Sequence, residues 1–188
     1  VLNGIAAANP RIHVMHRPGK LGLGTAYLDG FRWGLARGYD YLLEMDADFS
    51  HDPRYLPDMV RLAREGADMV VGSRYVEGGG TVNWGIGRQI ISRAGSLYAR
   101  SVLGVGIRDL TSGFICYRRQ TLESLDLEAI ESNGYSFQIE MKYRVLRAGM
   151  QIVELPIVFE DRRVGQSKMS RAIFLEALGM VWKLRFSR

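Results

Sequence analysis

A regular exchange of two hydrophobic periods constrains this chain more than any other feature. Short apolar runs occur at Ile12-His13-Val14-Met15, Tyr41-Leu42-Leu43-Glu44-Met45, Met69-Val70-Val71, Gly113 to Tyr117 and Gln151 to Phe159. Between them lie longer stretches in which apolar residues recur every three or four positions: 24–37, 53–64, 87–103, 136–148 and 170–186. The first kind reads as strands and the second as helices. Gly38, Gly66, Gly104 and Gly149 stand where four of the helices should stop, and Asp52-Pro53 supplies an N-cap with proline at the first helical position. Strands alternating with helices specify an α/β domain with a largely parallel sheet. In such sheets ligands bind beyond the carboxyl ends of the strands, so chemistry is expected where an apolar strand gives way to polar loop.

Composition narrows the class. With 188 residues, 47% hydrophobic and 24% charged, the chain suits one soluble globular domain and is neither disordered nor collagen-like. A single cysteine, Cys116, permits no intrachain disulfide and no cysteine-held zinc, and its place in an apolar strand marks it as core. No apolar run reaches the ~18 residues needed to cross a bilayer, and Val1-Leu2-Asn3-Gly4 does not open a signal peptide. The net charge is +5, unevenly placed: residues 81–119 carry six basic and one acidic residue, and residues 160–188 seven basic and three acidic. Such blocks suit anionic partners (phosphates, lipid headgroups or nucleic acid), with solvated helix faces as the alternative.

Four segments carry candidate chemistry. In Met45-Asp46-Ala47-Asp48-Phe49-Ser50-His51-Asp52-Pro53 an apolar strand runs into two carboxylates two residues apart. At a strand end these can converge on a hard divalent cation shared with a substrate's phosphates. The alternating Asp46, Asp48, Ser50 and Asp52 do not make a calcium loop, because its sixth position is His51 and its twelfth Pro57. Asp46 and Asp52 can also be read as turn and cap residues. Val70-Val71-Gly72-Ser73-Arg74-Tyr75 ends a strand on one arginine, whose planar fork suits phosphate. Arg88 and Ser92, four apart, share one helix face beside the apolar Ile90, Ile91, Ala94 and Leu97, which suits a phosphate on a greasy tail. Asp161-Arg162-Arg163-Val164-Gly165-Gln166-Ser167-Lys168 is a basic loop able to close over a diphosphate. Gly22-Leu23-Gly24 lacks the third glycine of a dinucleotide fingerprint, since Tyr27 holds that place, and reads as packing. There is no P-loop, and His13, His16 and His51 are not at zinc spacing.

These segments in this order, with Gly19 to Gly24, Asp109-Leu110-Thr111-Ser112-Gly113-Phe114, Phe137-Gln138-Ile139-Glu140 and Pro156 through Lys168, resemble the polyprenyl-phosphate (dolichol-phosphate-like) mannose synthases. These are inverting family 2 glycosyltransferases of the GT-A fold. The resemblance covers essentially the whole chain and implies a single GT-A catalytic domain over 1–188, beginning after the strands that hold the nucleotide base. It implies transfer of mannose from GDP-mannose to a polyprenyl phosphate with Mg2+ or Mn2+, at the cytoplasmic face of a membrane, without nucleic acid. It leaves the oligomeric state open. By similarity Asp48, Asp46 and Ser50 would hold the metal, and Asp46 the nucleotide sugar as well. Arg74, Arg88 and Ser92 would take the acceptor phosphate, and Arg162 and Lys168 the donor diphosphate. Asp46, Asp48 and Arg74 would be the catalytic residues. The alternatives kept open are a family 2 transferase using another nucleotide sugar such as UDP-glucose, and a non-catalytic basic module binding anionic membrane or nucleic acid. The last helix, Ser170 to Arg188, reads either as a membrane-surface helix or as one packed on the sheet.

Overall fold

The computed structural model describes residues 1–132, 134–161 and 171–186. Helices α1 (Leu2–Ala8) and α2 (Leu23–Ala36) precede strand β1 (Tyr41–Glu44). A 3-10 turn at Pro53–Tyr55 leads into α3 (Leu56–Arg64), followed by β2 (Met69–Ser73), β3 (Gly80–Val82) and α4 (Ile86–Leu103). The chain continues through β4 (Ile115–Arg118), α5 (Arg119–Ser124), α6 (Tyr135–Arg147), β5 (Ile152–Pro156), β6 (Val158–Glu160) and α7 (Arg171–Phe186).

The main sheet has the order β1-β4-β2-β5. Three of its strands point the same way. β4 runs against them, pairing antiparallel with β1 and β2, while β2 and β5 pair parallel from Met69↔Ile152 to Ser73↔Pro156. Strand pleating sends alternate side chains to opposite faces. Met69, Val71, Ile115 and Tyr117 therefore meet Phe31 of α2 and Phe137, Met141 and Val145 of α6. Val70 and Cys116, one residue out of phase, meet Met59 and Ala63 of α3 on the other face, together with Phe114 and Ile157. A third apolar cluster joins Ala99 and Leu103 of α4, Ile139 and Tyr143 of α6, and Val181 and Leu184 of α7. The last helix thus packs on the body of the domain through that face. The layers are helix, sheet, helix, with the strand ends open for a site.

Local chemistry accounts for most boundaries. Asp52 caps as expected, its Oδ1 accepting the Arg54 N–H at 2.9 Å with proline next in line. Gly104 closes α4 in the left-handed conformation at φ 70°. Gly24 serves packing: a Cβ there would lie 2.5 Å from the Ser132 carbonyl oxygen and 2.9 Å from the Phe137 ring.

Two sequence expectations change. Residues 12–15 form no strand: no described strand lies alongside to complete a ladder, Ile12 and Met15 are exposed, and His13 packs on the Trp33 ring at 4.9 Å. The apolar run 151–159 is two strands. Pro156 ends β5, Ile157 turns to donate its N–H to the Ser73 carbonyl at 3.0 Å, and β6 then pairs parallel with β3 in a separate two-stranded sheet. That small sheet grows out of the Gly78-Gly79-Gly80 segment, which the sequence reads as loop, and it brings Trp84 and Phe159 into contact.

Candidate active site

The loop after β1 is folded by its own polar groups. The Asp46 N–H donates to His51 Nδ1 at 2.9 Å. The Ser50 N–H and hydroxyl both donate to Asp48 Oδ1, at 3.1 and 2.5 Å. Phe49 sits at φ 67°, an uncommon conformation for a side chain of its size. This tight turn tucks His51 inward, where it stacks on Phe114 at 4.8 Å and meets the Phe159 ring edge-on at 5.3 Å. Burial lowers the His51 pKa against the opposing pull of Asp46 and Asp48. A neutral ring is what the bond requires, because Nδ1 must be unprotonated to accept an N–H.

Beneath the loop lies a buried polar cluster that sequence reasoning missed. Glu44 accepts from the Tyr117 hydroxyl at 3.0 Å and from Gln138 Nε2 at 2.7 Å. Lys142 Nζ donates to the Ser112 carbonyl at 2.7 Å. Burial pushes the Glu44 carboxyl up to about 7 and the Lys142 ammonium down to about 8. Burial, then Glu44 and Asp46, raise the pKa of Tyr27, whose hydroxyl hydrogen-bonds Asp46. The available signal was Glu44 itself, a charge inside an otherwise apolar strand.

Arg74 stands at the end of β2 and is committed inward. Its backbone N–H, Nε and Nη2 reach Asp109 at 3.0, 2.7 and 2.7 Å, and Nη2 also donates to Thr111 Oγ1 at 2.8 Å. Asp109 is 0% exposed and Arg74 7%. Burial alone would lift the Asp109 carboxyl, but the Arg74 guanidinium outweighs it and holds the pKa below its ordinary value. The fork expected to face a phosphate is turned on one edge to a carboxylate. Its Nε–Nη2 edge is already occupied by a carboxylate 35 positions away.

Arg88 and Ser92 share a face of α4, as their spacing requires. The Arg88 guanidinium lies 4.1 Å over the Trp84 ring and donates to Asp161 Oδ1 at 2.5 Å. Ser92 Oγ accepts from the Tyr75 hydroxyl at 2.6 Å. A row of rings, His51–Phe159–Trp84, joins the carboxylate loop to Arg88. Arg74 lies 5.5 Å from both the Trp84 and Phe159 rings. Asp46, Asp48 and Arg74 all act electrostatically on His51. The structure therefore brings Asp46, Asp48, Ser50, Arg74, Arg88 and Ser92 to one end of the sheet. Arg162 and Lys168 lie outside the described residues.

The oxygen donors of Asp46, Asp48 and Ser50 suit a hard divalent ion by type. Among the described residues no group of three or more His, Cys, Asp or Glu side chains forms a self-sufficient cage.

Comparison with known proteins follows this geometry. The sequence model of the family described as Glycosyl transferase family 2 matches residues 1–126. An undecaprenyl-phosphate mannosyltransferase from Micrococcus luteus is 54% identical over 173 residues, covering 92% of this chain and 71% of that protein. A polyprenol monophosphomannose synthase from Mycolicibacterium smegmatis is 49% identical over 184 residues, covering 96% and 69%. Among solved structures, glucosyl-3-phosphoglycerate synthase from Mycobacterium tuberculosis with Mn2+, UDP and glucosyl-3-phosphoglycerate superposes at a TM-score of 0.57 with 22% identity, covering 95% of this chain. The same enzyme with Mn2+, UDP-glucose and glycerol 3-phosphate gives 0.56 and 22%. The chain spans 57% of the length of both solved structures, and at this identity the likeness carries the fold alone.

Proposed function

The chain belongs to glycosyl transferase family 2, and from that membership we propose that it transfers mannose from GDP-mannose to a polyprenyl phosphate, with inversion and with Mg2+ or Mn2+. The observation that carries this reading is the identity of 54% and 49%, over 92% and 96% of the chain, to two enzymes named for that acceptor and that sugar.

The arrangement of side chains supports the chemistry. In the proposed reaction an acceptor phosphate oxygen bonds to the anomeric carbon as the bond from that carbon to the diphosphate breaks. The nucleophile is already an anion, so alignment and stabilisation of the departing diphosphate matter more than a strong base. Asp46, Asp48 and Ser50 are the residues that would hold the metal, and a bound ion supplies Lewis-acid neutralisation of the leaving group. His51 fixes the backbone of that loop through the Asp46 N–H. Arg88 and Ser92 receive the acceptor phosphate, which competes with Asp161 for the Arg88 guanidinium. Arg74 acts through its pair with Asp109 as a positioning residue for Tyr75 and Ser92. Arg162 and Lys168 are assigned to the donor diphosphate by resemblance.

A membrane surface is the proposed working place. No described helix is long and apolar enough to cross a bilayer. α4 turns Ser96, Ala99 and Leu103 to the core, yet its opposite face carries Ile86, Ile90 and Leu97 at 78%, 62% and 60% exposure. An outward apolar stripe on an otherwise packed helix suits the headgroup boundary.

The test is transfer of radiolabelled sugar to polyprenyl phosphate by the purified protein, with GDP-mannose and UDP-glucose in parallel, with and without EDTA. Label from GDP-mannose alone, abolished by EDTA and restored by Mn2+, is the expected result. Transfer from UDP-glucose instead, or transfer indifferent to EDTA, overturns the donor or the metal assignment.

A further inference from the structure

α4 borders a groove that adjoins the acceptor site, with Arg74 and Tyr75 among its lining, and that carries three further arginines with no part in the proposed reaction. It has a volume of about 760 Å³, and Arg93, Arg100 and Arg108 line it with the apolar Ile90, Ala94 and Leu97. Arg93 and Arg100 are seven residues apart, two turns along one helix face and ~10 Å in rise. Arg108 reaches the same groove from the loop after α4. That loop is pinned, since the N–H groups of Arg108 and Asp109 donate to Glu154 at 2.8 and 2.9 Å. The Arg93 guanidinium lies 5.8 Å from the Tyr75 ring.

The charge here is uncompensated. Among the described residues no Asp or Glu lines the groove, and none of the three guanidinium groups has a carboxylate partner, although the Arg108 backbone N–H donates to Glu154. Arg100 Nε is sealed from solvent and has no hydrogen-bond acceptor among the described residues. Arg74 and Arg88, by contrast, are paired with Asp109 and Asp161. Three unpaired guanidinium groups beside an aliphatic wall complement a phosphodiester joined to hydrocarbon.

We propose that Arg93, Arg100 and Arg108 of this groove bind the headgroup of an anionic phospholipid of the bilayer, beside the acceptor phosphate at Arg88 and Ser92. The proposal rests on the reading that the protein works at a membrane. Arg93, Arg100 and Arg108 then set the selectivity for anionic lipid, and the stripe of Ile86, Ile90 and Leu97 supplies apolar contact without charge preference.

The test is sedimentation of the purified protein with vesicles of phosphatidylcholine, alone or with one quarter phosphatidylglycerol. Replacing Arg93→Gln, Arg100→Gln and Arg108→Gln together should weaken binding to the phosphatidylglycerol vesicles about 100-fold, from roughly a fivefold loss per cation. Removing the same charge elsewhere, as Arg11→Gln, Arg37→Gln and Arg64→Gln, should change it less than threefold. Arg93→Glu, a charge reversal at an exposed position in the groove, should reproduce the loss with thermal stability unchanged. Turnover of a short, water-soluble prenyl phosphate should stay at the wild-type rate in both groove variants. The proposal is overturned if both triple variants lose binding equally, if wild-type protein binds the two vesicle types alike, or if the groove variants fail on the soluble acceptor. Wild-type protein that binds anionic vesicles selectively but transfers no mannose sinks the proposed reaction and leaves the groove standing.

Discussion

Replacing Asp109 by asparagine tests the centre of the site with little change of shape. The Asp109 carboxylate receives three hydrogen bonds from Arg74 and a fourth from the Thr111 hydroxyl at 3.2 Å, at zero exposure. An amide keeps one acceptor oxygen, but sets an NH2 against donors and leaves the buried Arg74 guanidinium without a counter-charge. Breaking one side of a buried pair costs about 3–5 kcal/mol. For a chain of this size that corresponds to a fall in Tm of roughly 10 °C. Urea unfolding followed by circular dichroism at pH 7 measures it. Substituting both partners, Arg74→Met with Asp109→Leu, should recover most of the loss, because a pair removed together leaves no orphaned charge. The pH dependence has a definite sign. The folded pKa of Asp109 is depressed, so its contribution is complete above the ordinary carboxylate value of about 3.9 and is lost as pH falls through the folded value. Wild-type stability should therefore drop more steeply below about pH 4 than that of Asp109→Asn. A single-variant loss under about 1 kcal/mol, or a double variant no better than the single, refutes the reasoning.

The remaining predictions concern the carboxylate loop and the packing beneath it. Asp48→Ala should lower metal-dependent transfer 10²–10³-fold, roughly 3–4 kcal/mol of transition-state stabilisation, with the Tm within a few degrees of wild type; wild-type turnover in a radiolabel assay overturns the role. His51→Phe keeps the stack on Phe114 but leaves the Asp46 N–H without its acceptor, whereas His51→Asn supplies an oxygen near the Nδ1 position. Titration of activity with Mn2+ should show about a tenfold weaker response for phenylalanine and a smaller change for asparagine, and equal effects would show that the hydrogen bond does not order the loop. Gly24→Ala places a methyl 2.5 Å from the Ser132 carbonyl oxygen, and a calorimetric scan should find it destabilised by about 1–3 kcal/mol.

What the sequence reveals here is what local forces decide. The helix spans over 24–37, 87–103 and 136–148 fall within a residue or so of α2, α4 and α6, because an apolar face and a terminal glycine act within one or two turns. The Asp52 cap is legible for the same reason. The sheet is less so. Nothing in Ile115 to Arg118 announces that β4 runs against its neighbours, since direction is set by how the chain returns from α4. Residues 12–15 carry strand-like residues but meet no ladder, and Pro156 divides a run whose apolar pattern continues on both sides. In the site, residue types at strand ends picked out Asp46, Asp48 and Arg74. They could not disclose the occupant of the Arg74 fork, because Asp109 lies 35 positions away and only the fold joins them. The cluster of Glu44, Gln138 and Lys142 stayed hidden because its members are scattered over nearly a hundred residues, and only the fold joins them.

The row of rings from His51 through Phe159 to Trp84 works as a gauge block. The gap between the carboxylates and the Arg88 cation is set by the thickness of packed aromatics, with centroid steps of 5.3 and 5.4 Å and the guanidinium 4.1 Å beyond. Loop length has no part in that dimension. Trimming Phe159 to leucine should shorten the reach of the site directly. The tolerance to sequence drift thus falls on the connections, and the intolerance on three flat side chains.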